Sequence, residues 1–369
     1  MAKVSIVLPT YNGARYLREA VDSILAQTLR DWELWIVDDC STDETGDIAE
    51  AYAVQDSRIH VLHNEVNRRV AASLNIGFRA ARRASEAHYL TWTSDDNLYH
   101  PMALEKMADW LDARPNEMMV CAGMRVVDAD GTYLRMWPTY SDSSIYVDDF
   151  VGACFLYRRC IWEDVGAYDE SLFGPDDYDY WIRVVQRYGR IDYLSDILYD
   201  YRHHAAALTV SNKDLCAQML TSLRHKHFSW MMEGIAHQPD QICRVFFEMQ
   251  HGGVTDEEKE VFFSQVPYLR AYQPLEQLDP GTRFLCWGAG QVGRKAAERY
   301  RDRIAYFADA DATREGTQCG ECPVRSLKSL KQRNDHEIVM LTLGAEKIYR
   351  CLCHLQEWSM DQFTVFLEN

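Results

Sequence analysis

The first third of the chain alternates between continuous apolar runs and segments whose apolar residues recur at helical spacing. The apolar runs predict buried strands at residues 4–8, 32–39, 59–64 and 88–93. The intervening segments predict helices at residues 12–28, 41–54, 70–84 and 101–113. Ser41 and Glu44 have capping-box spacing, which predicts that the second helix begins at Ser41. Alternating strands and helices indicate a parallel sheet covered by helices on both faces.

The pattern changes after residue 118. A hairpin is expected around Asp130-Gly131, a helix entered through Pro175, and a strand ending at His203-His204. Helices are expected over about 205–280, and a fresh strand–helix alternation begins at Arg283. We therefore predict an α/β protein with three regions, namely an N-terminal α/β domain, a helical connector and a Rossmann-like α/β domain. Their predicted bounds are 1–210, 211–280 and 281–369.

The excess of acidic over basic residues argues against nucleic acid and anionic lipid as binding partners. The 369 residues include 39 Lys and Arg against 56 Asp and Glu, a formal net charge of −17. A chain with this negative charge is expected to bind nucleic acid poorly. It also lacks the polybasic patch through which proteins bind anionic lipid. No apolar run reaches the ~18–20 residues of a transmembrane helix, and no signal peptide is evident. We predict a cytoplasmic protein, with peripheral attachment at the inner face of the membrane and homo-oligomerisation left open.

The eleven cysteines are scattered, and most lie in apolar runs, which indicates buried free thiols in a reducing compartment. Cys319, Cys322, Cys351 and Cys353 form a C-x-x-C and a C-x-C pair that could bind zinc. The same residues also fit a turn and a helix, so the sequence leaves zinc binding open.

Polar residues follow three of the predicted strands. Thr10, Tyr11 and Asn12 follow the first strand, Asp39 ends the second, and Asp95-Asp96-Asn97 follows the fourth. The carboxyl ends of parallel strands meet at one edge of a sheet, where ligands bind. Adjacent carboxylates there could hold a hard divalent cation. The alternative is a solvated turn in which Asn97 caps the next helix.

A series of motifs spanning roughly residues 3–210 resembles glycosyltransferase family 2. The motifs are VSIVLPTYNGARYLREAVDSILAQT, WIVDDCSTDET, YLTWTSDDNLYHP, GACFLYRR, DDYDYWIRV and YRHHAAALT, in the family's order and spacing. The resemblance implies an inverting enzyme of the GT-A fold that uses a nucleotide-diphosphate sugar with Mg²⁺ or Mn²⁺. It favours a UDP-sugar donor, a glycan or lipid-linked acceptor hydroxyl, and a role in bacterial surface polysaccharide synthesis.

The resemblance also implies roles for individual residues. The donor site would include Pro9, Thr10, Tyr11, Asn12, Asp39, Arg69 and Asp95. Asp96 and His204 would be metal ligands, and Asp177 would be the general base. Two departures from the family pattern stand out, since Ser94 and Asn97 replace acids and Arg69 stands where the family often has Gly. Surface positions remain the alternative for Arg69 and His204, and surface acids at a helix N-terminus are expected at Asp176 and Asp179.

The C-terminal region carries a second candidate site. Gly288, Gly290 and Gly293 form a G-x-G-x-x-G motif between a strand and a helix, and Asp309 ends the next strand. That pattern predicts a nucleotide site, with a fold remnant or an oligomerisation unit as alternatives. It also leaves open a competing function as a sugar-nucleotide oxidoreductase, and the replacement of the first motif acid by Ser94 leaves open a non-catalytic nucleotide-sugar binding protein.

Overall fold

The fold is that of a computed structural model, which describes residues 2–137, 145–235, 238–250, 254–334, 337–343, 347–348, 351, 354, 358 and 362–366. The chain divides into two compact units, residues 1–226 and 227–369. The bounds at 210 and 280 expected from the sequence remain predictions. No helix in the described part of the chain is both long and apolar enough to cross a bilayer.

The first unit begins as the hydrophobic pattern predicts. Its first half consists of β1 (Val4–Thr10), α1 (Leu17–Leu25), β2 (Trp32–Asp38), α2 (Thr45–Gln55), β3 (Ile59–His63), α3 (Arg69–Ala84), β4 (Tyr89–Trp92), β5 (Leu98–Tyr99) and α4 (Ala103–Asp112). The second half consists of β6 (Met119–Val127), β7 (Tyr133–Met136), β8 (Phe155–Arg158), α5 (Arg159–Val165), α6 (Asp176–Tyr188), β9 (Asp192–Arg202), α7 (Leu208–Ser211) and α8 (Lys213–Ile235), the last continuing past residue 226. The predicted hairpin, the helix entered at Pro175 and the strand after it are confirmed.

These strands form one mixed sheet in the order β3-β2-β1-β4-β8-β6-β9-β5, with β7 paired to β6. The first four strands are parallel, as predicted, and Thr10, Asp38 and His63 stand at the same level across β1, β2 and β3. β8 is antiparallel to both β4 and β6. Periodicity reveals that a strand is buried but not the direction of its neighbour, so the mixed character was not foreseen.

The core lies on both faces of this sheet, which explains why the strands are apolar at successive positions. Val4, Ile6 and Leu8 of β1 belong to the cluster that includes the inward face of α1. Val7 points to the opposite face, where α3 approaches so closely that a Cβ on Gly77 would lie 2.5 Å from Val7 Cγ1. The continuous apolar run is therefore buried on both sides.

The second unit is described by itself. It contains α9 (Pro239–Gln250), α10 (Asp256–Gln265), β10 (Arg283–Trp287), α11 (Gln291–Tyr300), β11 (Ile304–Asp309), β12 (Gln318–Cys319), β13 (Cys322–Ser326), β14 (Glu337–Leu341) and β15 (Phe363–Val365). Its sheet has the order β12-β13-β11-β10-β14-β15, and all pairs except β12–β13 are parallel. The expected second α/β pattern is thus present.

The cysteines of the candidate zinc group lie in this unit. Cys319 and Cys322 face each other across the β12–β13 hairpin, and both are buried, as is Cys351. Cys353 lies outside the described residues. Among the residues that are described, no three His, Cys, Asp or Glu side chains are grouped so that they could hold a metal ion.

Candidate active site

Two loops at the carboxyl edge of the first sheet are tied together by hydrogen bonds. Asn12, which follows β1, has a left-handed backbone with φ 53°. Its amide nitrogen donates to Ser41 Oγ at 2.9 Å, and its Oδ1 accepts from the Thr42 amide at 2.8 Å. The Asp39 amide also donates to the Thr10 carbonyl at 2.8 Å. The loops that follow β1 and β2 therefore form one framework beside the exposed ring of Tyr11 and the partly buried Pro9.

The expected capping role of Ser41 is wrong. Helix α2 begins at Thr45 with Glu44 as its N-cap residue; the Glu44 side chain makes no capping hydrogen bond, and Asp43 Oδ1 accepts from the Thr45 amide at 3.1 Å. The Ser41 hydroxyl instead accepts from Asn12, because the neighbouring loop offers a donor that local sequence spacing cannot reveal.

Asp39 anchors the segment that leads into α3. The side chain is buried, and its Oδ1 accepts from Asn64 Nδ2 at 2.7 Å and from the Arg68 amide at 2.8 Å. Its Oδ2 accepts from the Arg69 amide at 2.7 Å. These bonds hold Arg69 in a left-handed conformation with φ 70°, the region that favours glycine. This backbone conformation agrees with the Gly that the family resemblance leads one to expect there, while the donor roles of Asp39 and Arg69 remain predictions.

The Arg69 side chain itself is exposed rather than part of the core. Its guanidinium lies 5.1 Å from the ring centroid of Phe173, in the segment that precedes α6. Asn64, which the sequence did not single out, is the only one of these partners that contributes a side-chain donor to Asp39 in the described bonds. A lone Asn after a strand carries no signal that would have identified it.

The acidic pair after β4 is packed into this framework. The Thr10 hydroxyl donates to Asp95 Oδ2, and a side chain at Gly13 would collide with the same carboxylate. Burial and, second, the charge of Asp96 together raise the pKa of Asp95 to about 7. The pair is therefore not a solvated turn, because its first carboxyl is enclosed and repelled by its neighbour.

Asp96 and His204 face each other across the sheet edge. Asp96 Oδ2 lies 2.9 Å from His204 Nε2, and neither side chain is more than 18% exposed. Asp96 Oδ1 is buried and has no hydrogen-bond partner among the described residues. The surface position considered for His204 is therefore excluded.

This arrangement fits a divalent cation. An anionic oxygen without a donor and an imidazole nitrogen are suitable ligands, and the repulsion between the two acids would be relieved by a positive charge. Within the described residues the protein offers these two ligands and not a cluster of three. The remaining ligands would have to come from a bound molecule, such as a diphosphate.

Asp177 lies in the first turn of α6, with its side chain partly buried. Burial raises its pKa well above the ordinary value, and the negative charges of Asp149 and Asp176 raise it further. The sequence left open whether burial or the helix N-terminus would decide this pKa, and burial does. Asp149, missed by the sequence reading, is itself enclosed, so that burial raises its pKa to about 6.

Tyr201 is influenced by the charges of both acidic groups. Burial raises the pKa of its hydroxyl, and the charges of Asp96 and Asp177 both raise it further. Both carboxylates are therefore within electrostatic reach of one phenol at the end of β9. Tyr201 begins the motif YRHHAAALT, but nothing in the sequence indicated that the charges of both acids would act on it.

The expectation that Asp176 and Asp179 are surface acids is wrong. Asp176 is 5% exposed and Asp179 is completely buried. Asp179 accepts from Arg183 Nε and from Lys226 Nζ, each at 2.8 Å. This side of the first turn of α6 faces the protein interior. The positive charges that compensate the buried carboxylate of Asp179 come from the next turn of α6 and from α8.

The C-terminal motif residues are brought together at the turn between β10 and α11. Asp309 Oδ2 accepts from the Ala289 amide at 2.8 Å. Gly290 is the N-cap residue of α11, and a side chain at Gly293 would collide with the Gly288 carbonyl. The absence of a side chain at Gly293 therefore allows the helix to approach the strand, and a nucleotide site here stays a prediction.

Comparison with known proteins identifies the family. The sequence model of the protein family described as "Glycosyl transferase family 2" matches residues 5–169 of this chain. A Rickettsia prowazekii protein named uncharacterized glycosyltransferase RP339 is 31% identical over 253 residues, covering 64% of this chain and 76% of the relative. Putative glycosyltransferase EpsE of Bacillus subtilis is 32% identical over 211 residues, covering 56% of this chain and 74% of the relative.

The extent of the similarity varies among relatives. A Sinorhizobium fredii protein named y4gI is 29% identical over 216 residues, which are 57% of this chain but 23% of that protein. In structure, the chain resembles Staphylococcus aureus TarS residues 1–349, solved in complex with UDP-GlcNAc, with a TM-score of 0.53 at 20% identity. That match covers 71% of this chain and 79% of the TarS chain, and it supports the fold alone. From its matched domain and these relatives, the chain belongs to glycosyltransferase family 2.

Proposed function

We propose that this protein transfers a sugar, with inversion, from a nucleotide-diphosphate donor to an acceptor hydroxyl. The observation that carries the proposal is the pairing of Asp96 with His204, 2.9 Å apart at the edge of the first sheet, together with Asp177 in the first turn of α6; the charges of Asp96 and Asp177 both raise the pKa of Tyr201. A donor diphosphate held at Asp96 would present its anomeric carbon toward the carboxylate of Asp177. In a single displacement, one group stabilises the departing diphosphate and another takes the proton of the acceptor hydroxyl.

The donor would bind in the framework formed by the loops after β1 and β2. Thr10, Asn12 and the segment held by Asp39 border it, and the Arg69 guanidinium is exposed and free of a carboxylate partner in the described ion pairs. UDP is the favoured nucleotide because the family resemblance favours it, and TarS, which shares the fold, was solved with UDP-GlcNAc. Surface polysaccharide or a lipid-linked glycan is the proposed class of acceptor.

Asp96 and His204 would hold a divalent cation, Mn²⁺ or Mg²⁺, together with the diphosphate. When bound, such a cation neutralises the charge that develops on a departing diphosphate. Asp96 also carries the unpartnered oxygen, so its replacement should weaken donor binding wherever binding depends on the cation.

Asp177 would accept the proton of the acceptor hydroxyl. As that oxygen forms its bond to the anomeric carbon, the bond to the diphosphate breaks and the diphosphate leaves with the electron pair. The raised pKa of Asp177 makes its carboxylate a stronger proton acceptor than an ordinary Asp. Positioned general bases contribute about 10²–10⁴ in rate.

The test uses a panel of UDP- and GDP-sugars with MnCl₂, following nucleotide release and, separately, reduction of NAD. We expect Asp177→Asn to lower kcat by about 10²–10⁴ with little change in donor affinity. Asp96→Asn should weaken cation-dependent donor binding as well. Asp109→Asn, an exposed acid on α4, is the matched control and should behave as wild type.

The competing functions predict other results. Reduction of NAD without nucleotide release would indicate an oxidoreductase, and nucleotide-sugar binding without any release would indicate a binding protein. Equal loss of donor affinity in the Asp96 and Asp177 variants would contradict the separate roles proposed for them.

A further inference from the structure

The guanidinium of Arg202 is buried at the end of β9, directly beside the candidate cation site. Its side chain is 2% exposed. Nε donates to the Asp96 carbonyl at 2.9 Å, one terminal nitrogen donates to the Ala129 carbonyl at 2.9 Å, and the other donates to Glu19 Oε2 at 2.6 Å. One side chain thus connects the acidic loop after β4, the β6–β7 hairpin and α1.

Arg202 also binds the acidic loop through its backbone. Its amide nitrogen donates to Asn97 Oδ1 at 2.7 Å, and Asn97 is 2% exposed. Asn97 stands where the family resemblance leads one to expect the last acid of the motif, and here its side chain accepts from the backbone of β9. Arg202 therefore donates hydrogen bonds to two consecutive residues of this loop, to the backbone carbonyl of Asp96 and to the side-chain amide oxygen of Asn97.

The same residue influences the second candidate ligand. His204 follows Arg202 by two positions, and its ring centroid lies 5.0 Å from that of Tyr16. The Arg202 guanidinium lies 4.6 Å from the Tyr16 ring centroid. The buried Tyr16 ring thus lies against both side chains, so that Arg202 contacts the same ring as the imidazole of His204.

We propose that Arg202 is a positioning residue that holds Asp96 and His204 against each other, so that a cation-bearing nucleotide finds both ligands already in place. The inference rests on the function proposed above. Arg202 suits this task because a guanidinium is permanently charged and directs its donors in fixed, planar directions. Three of its nitrogens are used here, each on a different structural element.

A lysine would keep the positive charge near Glu19 but could not reproduce the planar set of donors. A methionine would fill a similar volume and remove both the charge and the hydrogen bonds. Comparing Arg202→Lys with Arg202→Met therefore separates the contribution of charge from that of geometry. We expect Lys to recover only part of the loss caused by Met.

The experiment is isothermal titration calorimetry of the full chain with UDP and with GDP, each with and without MnCl₂. Because loss of a group that orients metal ligands typically costs 10–100-fold in metal affinity, Arg202→Met should weaken Mn²⁺-dependent nucleotide binding by about 10-fold or more. Nucleotide binding measured without Mn²⁺ should stay unchanged. Should the Met variant fail to fold, the Mn²⁺ dependence of Arg202→Lys decides the question.

Arg159→Met is the matched control. The Arg159 side chain is 16% exposed and likewise donates to two backbone carbonyls, those of Ser85 and Arg82, the latter at 2.9 Å. It should lose stability without a change in Mn²⁺ dependence. A wild-type chain that shows no Mn²⁺-dependent nucleotide binding would overturn the proposed function itself. Wild-type dependence that survives in both Arg202 variants, or that falls equally in the Arg159 variant, would overturn only the role of Arg202.

Discussion

Replacing Asp179 by Asn should destabilise the first unit more than any nearby change of surface charge. The Asp179 carboxylate is completely buried, and its two oxygens accept from Arg183 and Lys226, each at 2.8 Å. Asn keeps the shape of the side chain but removes the charge. The guanidinium and the ammonium would then face each other without a shared anion.

The size of the effect follows from burial. Removing one partner of a fully buried ion pair costs about 3–5 kcal/mol. The side chains of Arg183 and Lys226 are 20% and 42% exposed, and Lys226 keeps a second partner in Asp169 at 2.8 Å. Water can therefore screen part of the released charge, so we expect a loss of about 2–3 kcal/mol in the free energy of unfolding.

Differential scanning calorimetry of the full chain would measure this change. At about 2–4 °C per kcal/mol, the unfolding temperature should fall by about 4–12 °C. The matched control is Asp169→Asn, since Asp169 pairs with the same Lys226 but is 29% exposed, and its loss should cost about 0.2–1 kcal/mol. If the two variants were equally stable, burial would not govern the energy of this network, and the reasoning would fail.

Two further predictions concern the edge and the face of the first sheet. His63 lies between Asp38 and Glu50, at 2.9 and 3.0 Å, and hydrogen bonds to Glu50 and then Asp38 raise its pKa. Because the pKa is raised in the folded protein, protonation of His63 stabilises the fold. The difference in free energy of unfolding between wild type and His63→Gln should therefore be complete below about pH 6.5 and should disappear as the pH rises through the raised pKa. Urea unfolding of both proteins at several pH values would measure this difference, and a difference that does not change with pH would contradict the prediction. Gly77→Ala should lower the free energy of unfolding by about 1–2 kcal/mol. Crowding of the new side chain against Val7 costs about 1–3 kcal/mol, and the better helix propensity of Ala offsets less than about 1 kcal/mol of this. Urea unfolding would measure the change, and unchanged or higher stability would contradict the prediction.

The early strands and helices were predictable because each one carries its own signal. β1 to β4 are short apolar runs, and α1 and α3 repeat apolar residues on one face, patterns that burial imposes wherever the element packs. The direction of β8 carries no such signal. Nor does a bond such as that between Asn75 Nδ2 and the Tyr168 carbonyl, 93 positions apart, because no local pattern relates the two residues.

Some features of the candidate site were likewise predictable from the sequence, and others were not. The sequence placed Thr10, Asp39 and Asp96 at strand ends, and the topology of a parallel sheet brings strand ends to one edge. It did not foresee that Asp39 would be occupied by Asn64 and two amides, or that Asp176 and Asp179 would be enclosed. Burial of an acid depends on which cations and hydrogen-bond donors the fold brings to it, and those come from other segments of the chain.

By itself, the sequence determined the α/β alternation, the family and the strand-end acids, because these depend on residue type and short spacing. Only the tertiary structure decided that His204 meets Asp96 across 108 positions and that Arg202 reaches Glu19 across 183. Such pairs exist because the mixed sheet places the end of β9 beside the loop after β4, and that placement is the outcome of packing the whole core rather than of any segment alone.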